Sequence, residues 1–313
     1  MCIRDRSTIM KLLLVVNPIS GGRNKEIFIK KAEDYCKKYG IPYEYFHTTG
    51  EDDVKKISAE VESVKPDKVV SRGGDGTTLM TALALQNSDV PFGIIPMGSA
   101  NGMAKELSVP NDTMQAFQDL VASQMIIPID VIKVNDDYTM HLGDVGINAA
   151  MVENFEKEEG RGWAAYAKHF ISAVNNASLF DVTIEIDNNI YEHKAYSVLI
   201  ANTRMYGTGA IVNPKGNPHD GIFEIVLLIK RDWSGVINLG LTAFDRRAVE
   251  TFKEYTKNYS AKSARIKFDK PRMLQLDGEV IGECESIEAE IIPGGVQYIT
   301  TGDNHFIEQL KSS

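Results

Sequence analysis

Three short stretches combine small residues with hydroxyl and amide side chains: VNPISGG at Val16–Gly22, GGDGTT at Gly73–Thr78, and IPMGSANGMA at Ile95–Ala104. Glycine lets backbone approach a ligand without a Cβ in the way, and Ser, Thr and Asn add hydrogen-bonding groups, so this composition suits contact with phosphate oxygens. Each stretch follows an apolar run: KLLLVV, DKVVS and VPFGIIP. The second also runs into TTLMTALALQ, whose composition is helical. A glycine turn between strand and helix aims backbone N–H groups and the positive end of the helix dipole at the crevice beyond the strand, where phosphate is the usual occupant. Asp75 is the odd member, because an anion-binding turn repels a carboxylate unless a cation or a donor offsets it. That favours a role through Mg²⁺ or through a nucleotide hydroxyl. Any single stretch also suits a tight turn or a helix cap. Three of them at strand ends point to one phosphate cradle.

Other chemistries lack their motifs. There is no GxxxxGK[ST], no complete GxGxxG, no HExxH and no nucleophile elbow, and the six histidines are isolated. Cys2, Cys36 and Cys284 are too scattered for a disulfide framework or a CxxC metal site, which fits a reducing cytoplasm. Two Asp-Gly turns remain, in LDGE at Leu276–Glu279 and in H-D-G at His219–Gly221. Either reads as an ordinary hairpin signal on its own.

The elements that would hold the three loops alternate. From Lys11 to about Val121 apolar runs exchange with helical segments, one with Phe28, Ala32, Tyr35, Cys36 and Tyr39 at helical spacing, another with Val54, Ile57, Val61 and Val64. The fold class expected is an α/β domain with a parallel sheet, which binds ligands at the carboxyl ends of its strands. After about Ile126 come VIKVN, MHLGDVGIN, FDVTIEID, YSVLIAN, GIFEIVLLI, SARIKFD and ESIEAEIIP, with turns such as Asp187–Asn189 between them. They predict an antiparallel β-sandwich, interrupted by helices near Trp163–Asn175 and Trp233–Tyr255. The boundaries expected are 10–125 for the α/β domain, with 301–313 packing back on it, and 126–300 for the sandwich. Residues 1–9 precede Met10 without periodicity and read as non-native or disordered.

The chain has 313 residues, 43% of them hydrophobic, with 34 Lys plus Arg against 43 Asp plus Glu and a net charge of −9. This excludes a non-specific nucleic-acid binder. No run approaches the roughly 18 apolar residues of a membrane span. Attraction to an anionic surface must be local, and basic clusters at Arg23–Lys31 and Lys262–Arg272 are the candidates.

VNPISGG, GGDGT, PMGSAN and LDGE, in that order, resemble the signature of the diacylglycerol kinase catalytic-domain family, which includes bacterial lipid kinases and sphingosine kinases. The resemblance implies a two-domain kinase with an ATP-binding cleft, ATP and Mg²⁺ as co-substrates, and a lipid hydroxyl as acceptor, either diacylglycerol or a sphingoid base. It implies a cytoplasmic enzyme that meets its lipid transiently at the membrane surface, and leaves a homodimer open. By position, Asn17, Ser20 and Gly21 match the first nucleotide loop, Gly73, Gly74, Asp75, Gly76 and Thr77 the second, and Gly98, Ser99 and Asn101 the third. Asp75 and Glu279 match the catalytic positions, with Glu279 as general base, and Asp220 matches a structural Mg²⁺ position. Segments 143–152 and 200–214 also resemble family segments around the cleft. Two departures stand out: Leu79 and Met80 occupy the place of an Asn-Glu pair, and Gly102 stands where an aspartate is usual. NAD kinase, which shares GGDGT, and a non-catalytic nucleotide or lipid binder are the rival expectations.

Overall fold

The computed structural model describes residues 10–19, 24–86, 88–146, 175–206, 210–231, 253–302, 304, 306 and 307. Residues 1–9, Ser20, Gly21, most of the two expected helical interruptions and the chain after Ile307 lie outside the described residues. By their internal contacts the residues fall into two units, Met1–Pro128 with Val296–Ser313, and Ile129–Gly295.

Largely apolar runs make the first unit's central strands, because a parallel strand covered on both faces has no side turned to solvent. β1 (Leu12–Val16), β3 (Lys68–Gly73) and β4 (Phe92–Pro96) are buried throughout, whereas β2 (Tyr43–His47) is half-buried. They align in parallel in the order β4-β3-β1-β2, and Tyr298 adds a parallel neighbour beside Phe92. The helices are α1 (Asn24–Tyr39), α2 (Asp53–Val64), α3 (Asp75–Ala84), α4 (Gly102–Glu106) and α5 (Thr113–Ala122). Phe28, Ala32 and Cys36 bury one face of α1, and Ile57 and Val61 one face of α2. Tyr39, expected on the buried face, is 56% exposed. Lys68, at the start of β3, donates from Nζ to the carbonyls of Leu120, Val121 and Ser123, so that a buried cation completes the end of α5.

In the second unit FDVTIEI alternates buried apolar with more exposed polar residues, as a strand with one solvated face does, whereas LGDV, SVLIA and FEIVLL are buried throughout. Its strands are β5 (Met125–Val134), which starts in the first unit, β6 (Asp137–Thr139), β7 (Leu142–Val145), β8 (Phe180–Ile186), β9 (Asn189–Ala195), β10 (Ser197–Ala201), β11 (Met205–Tyr206), β12 (Ala210–Ile211), β13 (Phe223–Leu228), β14 (Thr256–Ala261), β15 (Ser263–Leu276) and β16 (Glu279–Thr300), which ends in the first unit. Antiparallel neighbours run β14-β13-β10-β7-β15-β16, with β8 on β15 and β9 on β8. Phe180, Val182, Ile184, Ile225, Ile266 and Ile287 are among the side chains that fill its core. The α/β class with a parallel sheet and the antiparallel sandwich class are both as the sequence pattern predicts. Three strands extend beyond expectation: VIKVN, SARIKFD and ESIEAEIIP cover only parts of the 10-residue β5, the 14-residue β15 and the 22-residue β16. β9 and β14 were not foreseen, because NIYEHKA and TKNYSA carry too many polar residues to stand out as apolar runs.

Candidate functional site

The described parts of the three loops meet at the carboxyl ends of β1, β3 and β4. Asn17, just after β1, donates from Nδ2 to Thr77 Oγ1 at 3.3 Å and accepts the Ile19 N–H at 2.9 Å, tying the first loop to the second. The second and third loops touch through glycine. A Cβ on Gly98 would lie 2.5 Å from the Gly74 Cα, and one on Gly73 only 2.2 Å from Thr77 Oγ1. Asn101 adopts a left-handed conformation, φ 51°, and spends its amide on the Gly98 N–H and carbonyl, both at 2.8 Å. It therefore shapes the third loop from within, while Ser99 stays exposed at its rim.

Asp75 opens α3 and reaches 27 residues along the chain. Its carboxylate accepts the N–H groups of Gly102 at 2.9 Å and Met103 at 3.0 Å, the first residues of α4. These donors offset the charge that made this residue anomalous in an anion-binding turn. Burial lowers the pKa of Lys105, one turn along, against the opposing pull of Asp75. The N-cap Gly74 offers no side-chain acceptor, and the first bond within α3 runs from the Thr78 N–H to the Gly74 carbonyl at 3.0 Å. The N–H groups of Asp75, Gly76 and Thr77 lie ahead of that bond, where a helix N-terminus presents donors to an anion.

In the second unit, Glu279 is exposed at the start of β16 and makes no ion pair among the described residues. The two-residue turn before it has Asp277 at φ 50° and Gly278 at φ 88°, as a tight hairpin requires, and pairs Leu276 with Glu279. Asp277 does more than turn. Its carboxylate accepts from Thr139 Oγ1 and from the N–H groups of Met140, His141 and Leu142 at 3.0–3.1 Å, and its own N–H returns to the Leu142 carbonyl at 2.9 Å. Glu279 is thus presented on a hairpin clamped to residues 139–142.

Asp220 sits exposed on its turn and accepts the Ile222 N–H at 3.1 Å. Oxygen atoms gather around it. Asp130 accepts the N–H of the next residue, Gly221, at 2.7 Å, and that of Gly294 at 2.6 Å. Burial, with the Asp220 charge adding to it, raises the Asp130 carboxyl to about 6 despite those two donors. Burial also pushes Glu224 up. The buried side-chain oxygens of Asn213 and Asn217 meet no donor. Among the described residues no three His, Cys, Asp or Glu side chains converge as a ligand set, so a cation here would lean on amide and backbone oxygens.

Sequence reasoning missed Asp277, Asp130 and Arg72. For Arg72 a signal was present: an arginine inside an otherwise unbroken buried strand, KVVSRG.

Residues 11–134 match the model of the diacylglycerol kinase catalytic domain, and residues 144–300 match that of the YegS C-terminal NAD kinase beta sandwich-like domain. A protein of Staphylococcus aureus (strain Newman) named "Putative lipid kinase" is 25% identical over 279 residues, covering 86% of this chain and 88% of its own. Two solved structures from Bacillus anthracis str. Sterne share the fold. One, described as a "putative diacylglycerol kinase", has TM-score 0.75 at 23% identity and covers 93% of this chain and 98% of its own. Another, described as a diacylglycerol kinase, has TM-score 0.70 at 20% identity and covers 95% and 99%. The chain belongs to the diacylglycerol kinase catalytic-domain family. It is a kinase, and the family implies ATP as phosphoryl donor. No helix among the described residues is long and apolar enough to cross a membrane.

Proposed function

We propose that the protein is an ATP-dependent lipid kinase acting on the hydroxyl of diacylglycerol or of a sphingoid base, from the cytoplasmic side and in transient contact with a membrane. The observation that carries this reading is the convergence of three glycine-containing loops through Asn17–Thr77, Gly74–Gly98 and Asp75–Gly102 contacts. Asn17, Ser20, Gly21, Gly73, Gly74, Gly76, Thr77, Gly98, Ser99 and Asn101 would form the nucleotide site, some as direct donors and others, Asn101 among them, by shaping the loops. Bound ATP supplies the γ-phosphoryl group, and Mg²⁺ supplies charge neutralisation at the phosphates. Asp75 keeps α4 docked and orients the phosphates. Glu279 accepts the proton of the lipid hydroxyl as its oxygen bonds to the γ-phosphorus and the bond to the β-phosphate oxygen breaks, releasing ADP. A structural Mg²⁺ at Asp220 fits the unmet amide oxygens of Asn213 and Asn217 nearby.

The membrane contact calls for few of the basic residues at Lys262–Arg272. Arg265, Lys267 and Arg272 pair with Glu288, Glu185 and Asp269. Transfer of label from radiolabelled ATP to a panel of lipids in mixed micelles, with NAD as a control acceptor, tests the proposal. Label on a lipid that vanishes in Glu279→Gln supports it. Label on NAD alone, or on no acceptor despite ATP binding, overturns it.

A further inference from the structure

Arg72 is completely buried, at 0% exposure, and its Nε, Nη1 and Nη2 atoms meet no acceptor. Its neighbours at the same level of the sheet are Val16 and Ile95, and its guanidinium lies 5.3 Å from the centre of the Phe28 ring on α1. The hydroxyl of Tyr45, on β2, is also buried without a partner. Lys68 in the same strand shows the contrast: it too is buried, yet three carbonyls receive its ammonium. A guanidinium cannot shed its charge by losing a proton, and an aromatic face offsets only part of the desolvation of a buried cation. Glu33, whose charge reaches Tyr45, is paired with Lys37 at 3.8 Å.

We propose that Arg72 and Tyr45 form a binding site for a phosphate-class oxoanion on the α1 side of the first unit's sheet. Both are able to donate, and the fork of a guanidinium matches two oxygens of a phosphoryl group. The site sits at the loops. The Arg72 carbonyl accepts the Asn17 N–H at 3.2 Å, and Gly73, Gly74 and Asp75 follow directly. Coverage of the guanidinium means that occupancy requires its side chain to rearrange. The assignment of the anion to a nucleotide's phosphoryl group rests on the proposed kinase function; the binding of an oxoanion does not.

Thermal unfolding of wild type, Arg72→Met, Arg72→Lys and Tyr45→Phe, each with inorganic phosphate, pyrophosphate, ATP or adenosine, tests this. The expected result is a wild-type stabilisation by at least one phosphate compound and none by adenosine. Arg72→Met should unfold at a higher temperature than wild type without anion, and Arg72→Met and Arg72→Lys should bind the active compound at least roughly tenfold more weakly. Response to free phosphate and pyrophosphate would assign the site to free anion, and response to ATP alone to the nucleotide. Unchanged affinity in Arg72→Lys, or no wild-type response to any phosphate compound, overturns the proposal. Lipid phosphorylation together with an unchanged affinity of Arg72→Lys for phosphate, pyrophosphate and ATP would sink this inference and spare the kinase function. An Arg72-dependent pyrophosphate response without phosphorylation of any lipid would do the reverse.

Discussion

Asp75 brings a charge into a turn that favours anions, and it is accommodated because α4 begins where its carboxylate ends. Asp75→Asn keeps an acceptor for one of the two N–H groups and loses the charge, so stability should fall by about 1–2 kcal/mol in urea unfolding. Phosphate transfer should fall further, by roughly a hundredfold, if Asp75 orients the phosphates as proposed. Gly102 is informative for the same reason. Where an aspartate was expected, the chain uses the backbone N–H instead, and no side chain is needed for that contact. Gly98 tests the closeness of the loops. The Cβ of Gly98→Ala would meet the Gly74 Cα, which cannot rotate away, so a loss of about 2 kcal/mol should accompany weaker ATP binding in a titration.

Among the elements, the β15–β16 hairpin depends on one side chain that the turn itself does not need. Asp-Gly predicted a tight turn, and the φ values of Asp277 and Gly278 agree with it. What the pattern did not reveal is the clamp on residues 139–142, because those donors stand up to 138 residues away in sequence. Asp277→Ala would leave one hydroxyl and three N–H groups unmet and should cost about 3 kcal/mol or more in chemical denaturation. Gly278→Ala, strained only by its positive φ, should cost about 1 kcal/mol. A comparable cost for the two variants would show that Asp277 serves the turn alone.

For the whole molecule, the proposed roles divide between the units: nucleotide loops in the first, Glu279 in the second. Glu279→Gln should therefore abolish lipid phosphorylation while ATP affinity stays within about twofold of wild type. The second unit also carries a pH-dependent weakness. Asp130 has its carboxyl raised from 3.8 to about 6, so its contribution is fully present below about pH 4 and is lost as pH rises through about 6. Asp130→Asn should remove that pH dependence, which amounts to about 3 kcal/mol at most, in unfolding curves recorded across this range without added metal.

The sequence by itself determined what is local: apolar runs that become buried parallel strands, glycines at their ends, the Asp187–Asn188 and Asp277–Gly278 turns, and the helix that starts at Asp75. These follow from steric limits on φ and from the repeat of apolar residues, both felt within a few positions. Only the tertiary structure decided which loops meet, that Asp75 serves α4, that Asp277 holds a distant segment, and that Lys68 is satisfied while Arg72 is not. Those outcomes depend on strand order and register, which bring together groups tens to more than a hundred residues apart, and no local pattern encodes which partner a buried polar group will find.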